Sequence, residues 1–259
     1  MQRLLVTGGA GYLGRQLIAR APGRGLVVRA TWWTRLPELE AEWVRLDVRD
    51  RAAVRAAVRD VDAVIHTAYR QGAPDEWSTN VDGAEAVAAA SQGRRLVHLS
   101  SDVVFDGTRG RYREEDAPAA VNAYGRSKAA AETRVAAAHP EATLVRTSLL
   151  YGGPEPGPQE RLAHEGTRFF VDEIRSPVHV GDLAEALLDL LHEDVAGPLH
   201  LGGADDVSRY DFALLLGADT ARIERGRTSA DRAPDVSLDS SRAAELLGTP
   251  LRGVRDVLA

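Results

Sequence analysis

The eight residues TGGAGYLG, at positions 7 to 14, follow the apolar run RLLV and open YLGRQLIAR, whose apolar spacing is helical. A glycine-dense turn from strand to helix constrains this chain more than any other stretch. Gly9, Gly11 and Gly14 satisfy G-x-G-x-x-G, and Gly8, Gly11 and Gly14 satisfy G-x-x-G-x-x-G. Gly8 and Gly9 permit a tight turn, and Gly11 lets the backbone approach a pyrophosphate. Gly14 lets the helix pack close to the sheet, whose helix N-terminus favours phosphate charge. A bare glycine pattern is only a turn. Its setting decides what it is worth.

That setting is an alternation of short β-rich runs with helical patterns. The runs are RLLVTGG, GLVVRATWW, WVRLDV, DAVIHTA, RRLVHLSS and ATLVRTSLLYG; between them lie YLGRQLIAR, RAAVRAAVRD, VDGAEAVAAASQ and a helix from about Tyr124 to Ala138. Such alternation predicts an α/β fold, a Rossmann-type doubly wound parallel sheet with helices on both faces. After Gly152 the rhythm breaks at GGPEPGP. Residues 1–152 are therefore expected to form the dinucleotide-binding domain. Residues 153–259 form a small lobe that returns some elements to it, in one compact unit. In that lobe TRFFVDE reads as a short strand, DLAEALLDLLHED as a helix apolar at 183, 187, 188 and 191, and GPLHLGG as a strand. RIERGRTSADRAPDV reads as loop, and SSRAAELLG as a helix with Ser240 as its cap and Gly248 just past its end.

Composition removes several functions. A formal charge of -6, with arginines interleaved among acids, argues against a nucleic-acid surface. No cysteine is present, which excludes disulfides, thiolate nucleophiles and cysteine-ligated zinc. The chain enters a strand pattern at once, and no apolar stretch approaches the roughly 20 residues of a membrane span. The expectation is a cytoplasmic protein without membrane or nucleic-acid partners.

In such a fold the cofactor ribose is read at the end of the second strand. An acid there would hold a 2′-hydroxyl and favour NAD. Here the segment is RATWWTR, flanked by Arg29 and Arg35. Arginine suits a 2′-phosphate, so NADP(H) is expected and NAD(H) is the alternative. In an arginine-rich chain the competing reading is two surface arginines. Trp32 and Trp33 read more readily as packing residues than as adenine platforms, and Asp47, in RLDV, as an acceptor for the adenine amino group or as a turn residue.

LVHLSSD, 96 to 102, is a strand ending in two serines, at the sheet edge where ligands bind in these folds. Tyr124 and Lys128, four apart in AYGRSKAAAE, share a helix face. A lone YxxxK is most often an exposed tyrosine and a solvated lysine. With the glycine loop upstream and Ser101 as hydroxyl donor, the three resemble the short-chain dehydrogenase/reductase triad. SSDVVFDG, YREEDAPAAVNAYGRSKAAAE and VRTSLLYG, in that order, resemble the dTDP-4-dehydrorhamnose reductase family. VDEIRSPVHVGDLAEALLDLL, GPLHLGG with SRYDFA, and APDVSLDSSRAAELLG extend the similarity over most of the chain.

The resemblance implies a reductase of a nucleotide-linked 4-keto-6-deoxy sugar, with the C-terminal lobe binding substrate. Tyr124 is its proton donor. A free phenol, with a pKa of about 10, is too weakly ionised to cycle near neutrality, and the Lys128 ammonium and oxidised nicotinamide lower it. Ser101 holds the carbonyl oxygen, and Lys128 grips the ribose hydroxyls. The same resemblance assigns cofactor contacts to Gly8, Gly9, Gly11, Tyr12, Leu13, Gly14, Arg35, Asp47, Val48, His66, Thr67, Ala68, Asn80 and Ser100, together with Tyr124 and Lys128. Substrate contacts fall to Ser101, Asp102, Val103, Phe105, Tyr124 and Arg175, with Arg146 and Tyr151 nearby in sequence. Arg175 reads equally well as a salt-bridge residue, and His179 as structural.

Three departures stand out. The family's usual triad threonine is Ser101 here, and His66 replaces a small residue beside the cofactor path, where it reads as a ribose or substrate contact or, at least as well, as a partly buried structural histidine. No acidic cluster matches the magnesium use reported for some members, so no metal is expected. Sugar-nucleotide epimerases and dehydratases share the triad, but dehydratases place Asp-Glu after its hydroxyl residue, whereas Ser101 is followed by Asp102 and Val103. A non-catalytic NADP-binding regulatory subunit is the remaining alternative, and the complete triad speaks against it. The sequence leaves the sugar, the base and the oligomeric state open, a homodimer being compatible.

Overall fold

The computed structural model describes residues 2–166, 168–229 and 231–258. Thr167, at the head of the expected TRFFVDE strand, and Ala230, in the expected loop, lie outside the described residues. In chain order the elements are β1 (Gln2–Thr7), α1 (Tyr12–Arg20), β2 (Leu26–Trp32), β3 (Glu42–Arg45), α2 (Arg51–Val58), β4 (Ala63–His66), α3 (Gly83–Ala90), β5 (Arg95–Ser101), α4 (Ala123–Ala138) and β6 (Thr143–Thr147). Then come β7 (Leu150–Tyr151), α5 (Pro158–Glu165), β8 (Arg168–Phe170), β9 (Ile174–Arg175), β10 (Val178–His179), α6 (Val180–Asp189) and β11 (Gly197–Leu201). The chain ends with β12 (Val207–Ser208), α7 (Arg209–Leu215), β13 (Glu224–Gly226), α8 (Ser241–Leu246) and α9 (Val254–Leu258).

Seven strands form one sheet in the order β11-β6-β5-β4-β1-β2-β3. β1 pairs in parallel with β2 and β4, β2 with β3, and β4 with β5. The order reverses about β1, so the loop leaving β1 opens at the switch point where such sheets bind ligands. This is a Rossmann-like α/β fold, as the alternation predicts.

The chain divides into two compact units that interleave in sequence. The first comprises Met1–Ser100, Ser127–Val145 and Leu187–Pro198; the second comprises Ser101–Arg126, Arg146–Ala186 and Leu199–Ala259. In the first unit Leu5, Val64, Leu96 and Leu144 from the strands pack against Val54 and Val58 of α2, Val87 of α3 and Val135 of α4. Burying such a side chain contributes about 1.5–3 kcal/mol. α2 starts at Asp50, whose carboxylate accepts from the backbone N–H groups of Ala52 and Ala53.

The second unit carries three two-stranded ladders: β7 with β10, β9 with β12, and β8 with β13. Its apolar clusters centre on Tyr151, Val207, Phe212 and Val254, and on Ala163, Phe169, Ala213 and Ala218. Two details differ from the sequence reading. β13 lies inside the stretch expected to be loop, because Glu224–Gly226 finds backbone partners on β8. Ser240 does stand at the N-cap position of α8, but its hydroxyl accepts from the Gly202 N–H at 2.9 Å and caps nothing. Among the described residues no helix is long and apolar enough to cross a membrane.

Candidate active site

The glycine loop takes the conformation its sequence requires. Gly8 has φ +69°, and a Cβ there would stand 2.8 Å from the Ala68 nitrogen, so both the turn and the close approach demand glycine. A Cβ on Gly14 would stand 2.4 Å from the Gly8 carbonyl oxygen, so that glycine lets α1 close onto the loop. The loop is tied down on both sides. Gly8 N–H donates to Thr31 Oγ1 at 3.1 Å, Thr67 Oγ1 donates to the Thr7 carbonyl at 2.7 Å, and Thr7 Oγ1 lies 2.6 Å from His66 Nδ1.

Beside the loop lies a cavity of about 290 Å³ within the first unit. Of the expected cofactor residues, Gly8, Gly11, Asp47, Val48, Thr67 and Ala68 line it, joined by Trp32, Trp33, Arg49, Tyr69, Arg70 and Asp75. Leu13 and Gly14 are buried, and Tyr12, Gly9 and Arg35 stand outside the lining. The Asp47 carboxylate receives Arg49 Nε at 2.9 Å and Nη2 at 2.6 Å, and those bonds hold its pKa below the usual carboxylate value. Arg49 also reaches Asp75 at 3.3 Å, and Arg70 reaches Asp75 at 3.5 Å.

Three expectations change here. Arg29, one of the two arginines considered for a 2′-phosphate, donates to Glu42 at 2.7 Å and to the carbonyls of Ala57 and Arg59. Its guanidinium is spent on holding β2, β3 and the end of α2. His66 is 2% exposed and stacked on His98 with ring centres 5.1 Å apart. Burial pushes its pKa down to about 3, with Lys128 acting in the same direction. As a neutral ring it braces the glycine loop from beneath and does not line the cavity. Ser100 likewise turns inward, donating to Glu132 Oε1 at 2.5 Å.

Asn80 sits in a single π-helical turn, Ser78–Asp82, a form common at functional sites. Its Oδ1 accepts from the Arg70 N–H at 2.8 Å, and its Nδ2 donates to the Arg70 carbonyl at 2.8 Å and to Ser127 Oγ at 2.9 Å. One buried amide thus fixes the loop leaving β4 to the residue before Lys128. Lys128 Nζ donates to the Leu99 carbonyl at 2.5 Å. Burial lowers the Lys128 pKa to about 8, and Glu132 pulls it the other way.

In the second unit Ser101 is the last residue of β5, and its hydroxyl donates to Asp102 Oδ1 at 3.0 Å. Ser148 donates to Asp102 Oδ2 at 2.7 Å, and Arg175 Nε stands 3.9 Å from that oxygen. Burial raises the Asp102 pKa against the pull of Arg175 and the two serines. Asp102 is therefore a support for Ser101. Tyr124 lies in the first turn of α4: Asn122 Oδ1 accepts the Gly125 N–H at 2.8 Å, fixing the start of the helix that carries Tyr124 and, one turn on, Lys128. A Cβ on Gly125 would stand 2.1 Å from the Val103 carbonyl oxygen, so glycine admits the helix start against the segment that follows Ser101.

Two expected substrate contacts are core groups instead. Phe105 is 0% exposed, stacked on Tyr112 at 4.1 Å with Arg146 over its ring at 5.0 Å. Arg175 is 4% exposed and donates to Glu173 at 2.8 Å and to the Ala233 and Pro234 carbonyls. Tyr151 is also buried, edge-on to His179 and Phe212, and His179 Nε2 meets the Gly152 carbonyl at 2.7 Å.

The profile of the family described as RmlD substrate binding domain matches residues 1–258. The chain belongs to that family. It is 36% identical to a dTDP-4-dehydrorhamnose reductase of Mycobacterium tuberculosis, covering 100% of this chain and 91% of that protein. It is 36% identical to a dTDP-4-keto-6-deoxy-D-glucose reductase of Streptomyces niveus, covering 85% and 81%. Among solved structures it resembles a dTDP-4-dehydrorhamnose reductase from Bacillus anthracis in complex with NADP, with a TM-score of 0.82, 26% identity, and coverage of 100% and 98%.

For an RmlD-family chain one sequence signal is plain in retrospect. Lys128 is the only lysine among 259 residues, in a chain with 31 arginines. Arginine cannot be deprotonated and is a broad planar fork, whereas an ammonium is a compact charge whose pKa burial can move. The Arg49–Asp75 pair at the cavity carried no such signal, because it joins segments distant in sequence. Among the described residues no group of three or more His, Asp or Glu could hold a metal ion.

Proposed function

We propose that this RmlD-family chain is an NADPH-dependent reductase of a nucleotide-linked 4-keto-6-deoxy sugar. The observation that carries the reading is the family match over residues 1–258 together with a complete Ser101, Tyr124 and Lys128 set on β5 and α4. The glycine loop fits a dinucleotide, since a side chain on Gly8 would fill the approach to Ala68. Reduced nicotinamide supplies hydride to the carbonyl carbon. Tyr124 gives its phenolic proton to the oxygen as charge develops there, and the Lys128 ammonium stabilises the tyrosinate left behind. Ser101 turns its hydroxyl from Asp102 to the carbonyl oxygen and fixes its direction. Val103, half-buried beside Ser101, is the remaining candidate sugar contact of the SSDVVF stretch.

The preference for NADPH over NADH rests on the end of β2, which has no acid, and on Arg35. With Arg29 committed elsewhere, Arg35 is the exposed arginine of that stretch and has no hydrogen-bond or ion-pair partner among the described residues. No nucleic-acid or membrane partner is required. The test is incubation with a dTDP-4-keto-6-deoxyhexose and each cofactor, with the product followed by NMR. A new C4 alcohol formed faster with NADPH supports the reading. Arg35→Ala should raise KM for NADPH about tenfold, the worth of one charge-assisted contact, and leave that for NADH unchanged. Reduction that prefers NADH would overturn the cofactor assignment.

A further inference from the structure

Trp33 presents an open indole to the cavity beside the glycine loop. It is 41% exposed, and of the six large apolar side chains this open among the described residues only Trp33 and Tyr69 line that cavity. A flat ligand stacked on the ring would take that apolar surface out of water. The ring is also held in place. The Arg45 guanidinium lies 5.1 Å from its centre and 5.6 Å from the ring centre of Trp32, the cation-over-ring arrangement that fixes an indole from one side. Trp43, by contrast, is anchored by its Nε1 to the Leu39 carbonyl at 2.8 Å and does not line the cavity.

The polar groups of the same cavity are those a purine would need. Asp47 offers a carboxylate that can accept from an exocyclic amino group, and Val48 follows it on the cavity wall. About 290 Å³ is room for a nucleoside and not for a whole dinucleotide. We propose that Trp33 is the stacking platform for the adenine of the dinucleotide, a role the sequence alone ranked below packing. The inference rests on the cofactor reading above and adds a residue to it. Arg49 is bonded to Asp47, so the adenine amino group shares that carboxylate with Arg49 or displaces it.

The experiment uses 2′,5′-ADP, which carries the adenosine half of NADP and absorbs little where tryptophan emits. Binding to the full chain is followed by intrinsic fluorescence, with NADPH affinity measured in parallel by calorimetry. Trp33→Leu removes the ring and should weaken both ligands about tenfold, the worth of one base stacked on an aromatic side chain. Its affinity for reduced nicotinamide mononucleotide, which has no adenine, should stay within about twofold, a margin well below the tenfold step. Trp33→Phe keeps an aromatic ring and the fold, so it should retain most of the affinity and lose most of the quenching by 2′,5′-ADP. Wild-type quenching in Trp33→Phe, or wild-type affinity for 2′,5′-ADP in Trp33→Leu, would overturn the assignment while leaving the reductase reading intact. A wild-type protein that binds no NADPH at all would overturn both.

Discussion

Lys128 offers the sharpest physical prediction, because a chain with one lysine allows that lysine to be observed alone. Its side chain is buried, donates to Leu99 O at 2.5 Å, and has its pKa lowered from 10.5 to about 8 by burial, with Glu132 opposing. A fall of that size means the folded state disfavours the ammonium by about 3 kcal/mol relative to the unfolded chain. The sign follows from proton binding. Below about pH 8 both states hold the proton and the fold carries the full penalty; between about 8 and 10.5 the unfolded chain binds more protons, so this group's contribution to stability rises with pH. Lys128→Met removes the penalty and also one charged hydrogen bond worth about 1.5–3 kcal/mol. The net gain at pH 7 is about 1 kcal/mol, or about 2–4 °C in Tm for a chain of this size. The gain should shrink and reverse by pH 10. Incorporation of ¹⁵N-lysine labels Lys128 alone, and its Nζ resonance should titrate near pH 8 in the protein without cofactor. kcat/KM, which reports groups of the free enzyme, should bend downward above the same pH as Lys128 loses its charge. A resonance titrating at 10 or above would refute the burial argument, as would a Lys128→Met variant that melts lower at pH 7 by the same margin as at pH 10.

Other perturbations test the supports of the site. In Gly125→Ala the new methyl stands 2.1 Å from the Val103 carbonyl oxygen, so backbone must move. Overpacking of about 1–3 kcal/mol should outweigh the gain in helix propensity of about 1 kcal/mol, lowering Tm and cutting kcat by about 100-fold through displacement of Tyr124. An unchanged kcat would show that the contact does not position the helix. Asn80→Ala leaves the Arg70 backbone and Ser127 without their buried partner. A loss of about 1–3 kcal/mol in chemical denaturation and a raised cofactor KM are expected, and a variant as stable as wild type would contradict it.

The architecture was legible because its signals are local. The glycine loop, the apolar strands and the alanine-rich α4 each announce themselves within a dozen residues, and the ordered motifs from SSDVVFDG to VRTSLLYG carry the family. What sequence could not supply was which polar side chains are already spoken for. Arg29 and Arg175 look free to meet phosphate until Glu42 and Glu173, brought from other segments, are seen to hold them. Phe105 follows Ser101 closely enough to border a sugar, yet the short helical turn Asp102–Val104 rolls it into the core against Tyr112. For His66 the sequence left a ligand contact and a structural role side by side, since only the pairing of β1 with β4 sets its ring against Thr7.

The central claim is that this chain reduces a keto sugar with Tyr124 as its acid. The most direct measurement is the rate of NADPH consumption with a dTDP-4-keto-6-deoxyhexose, in wild type and in Tyr124→Phe, alongside NADPH affinity for each. The account predicts steady turnover by wild type, a loss of about 10²–10⁴ in kcat for the variant, and cofactor affinity that stays close to wild type. Turnover that survives intact in Tyr124→Phe would contradict it, and so would tight NADPH binding by wild type with no turnover of the sugar.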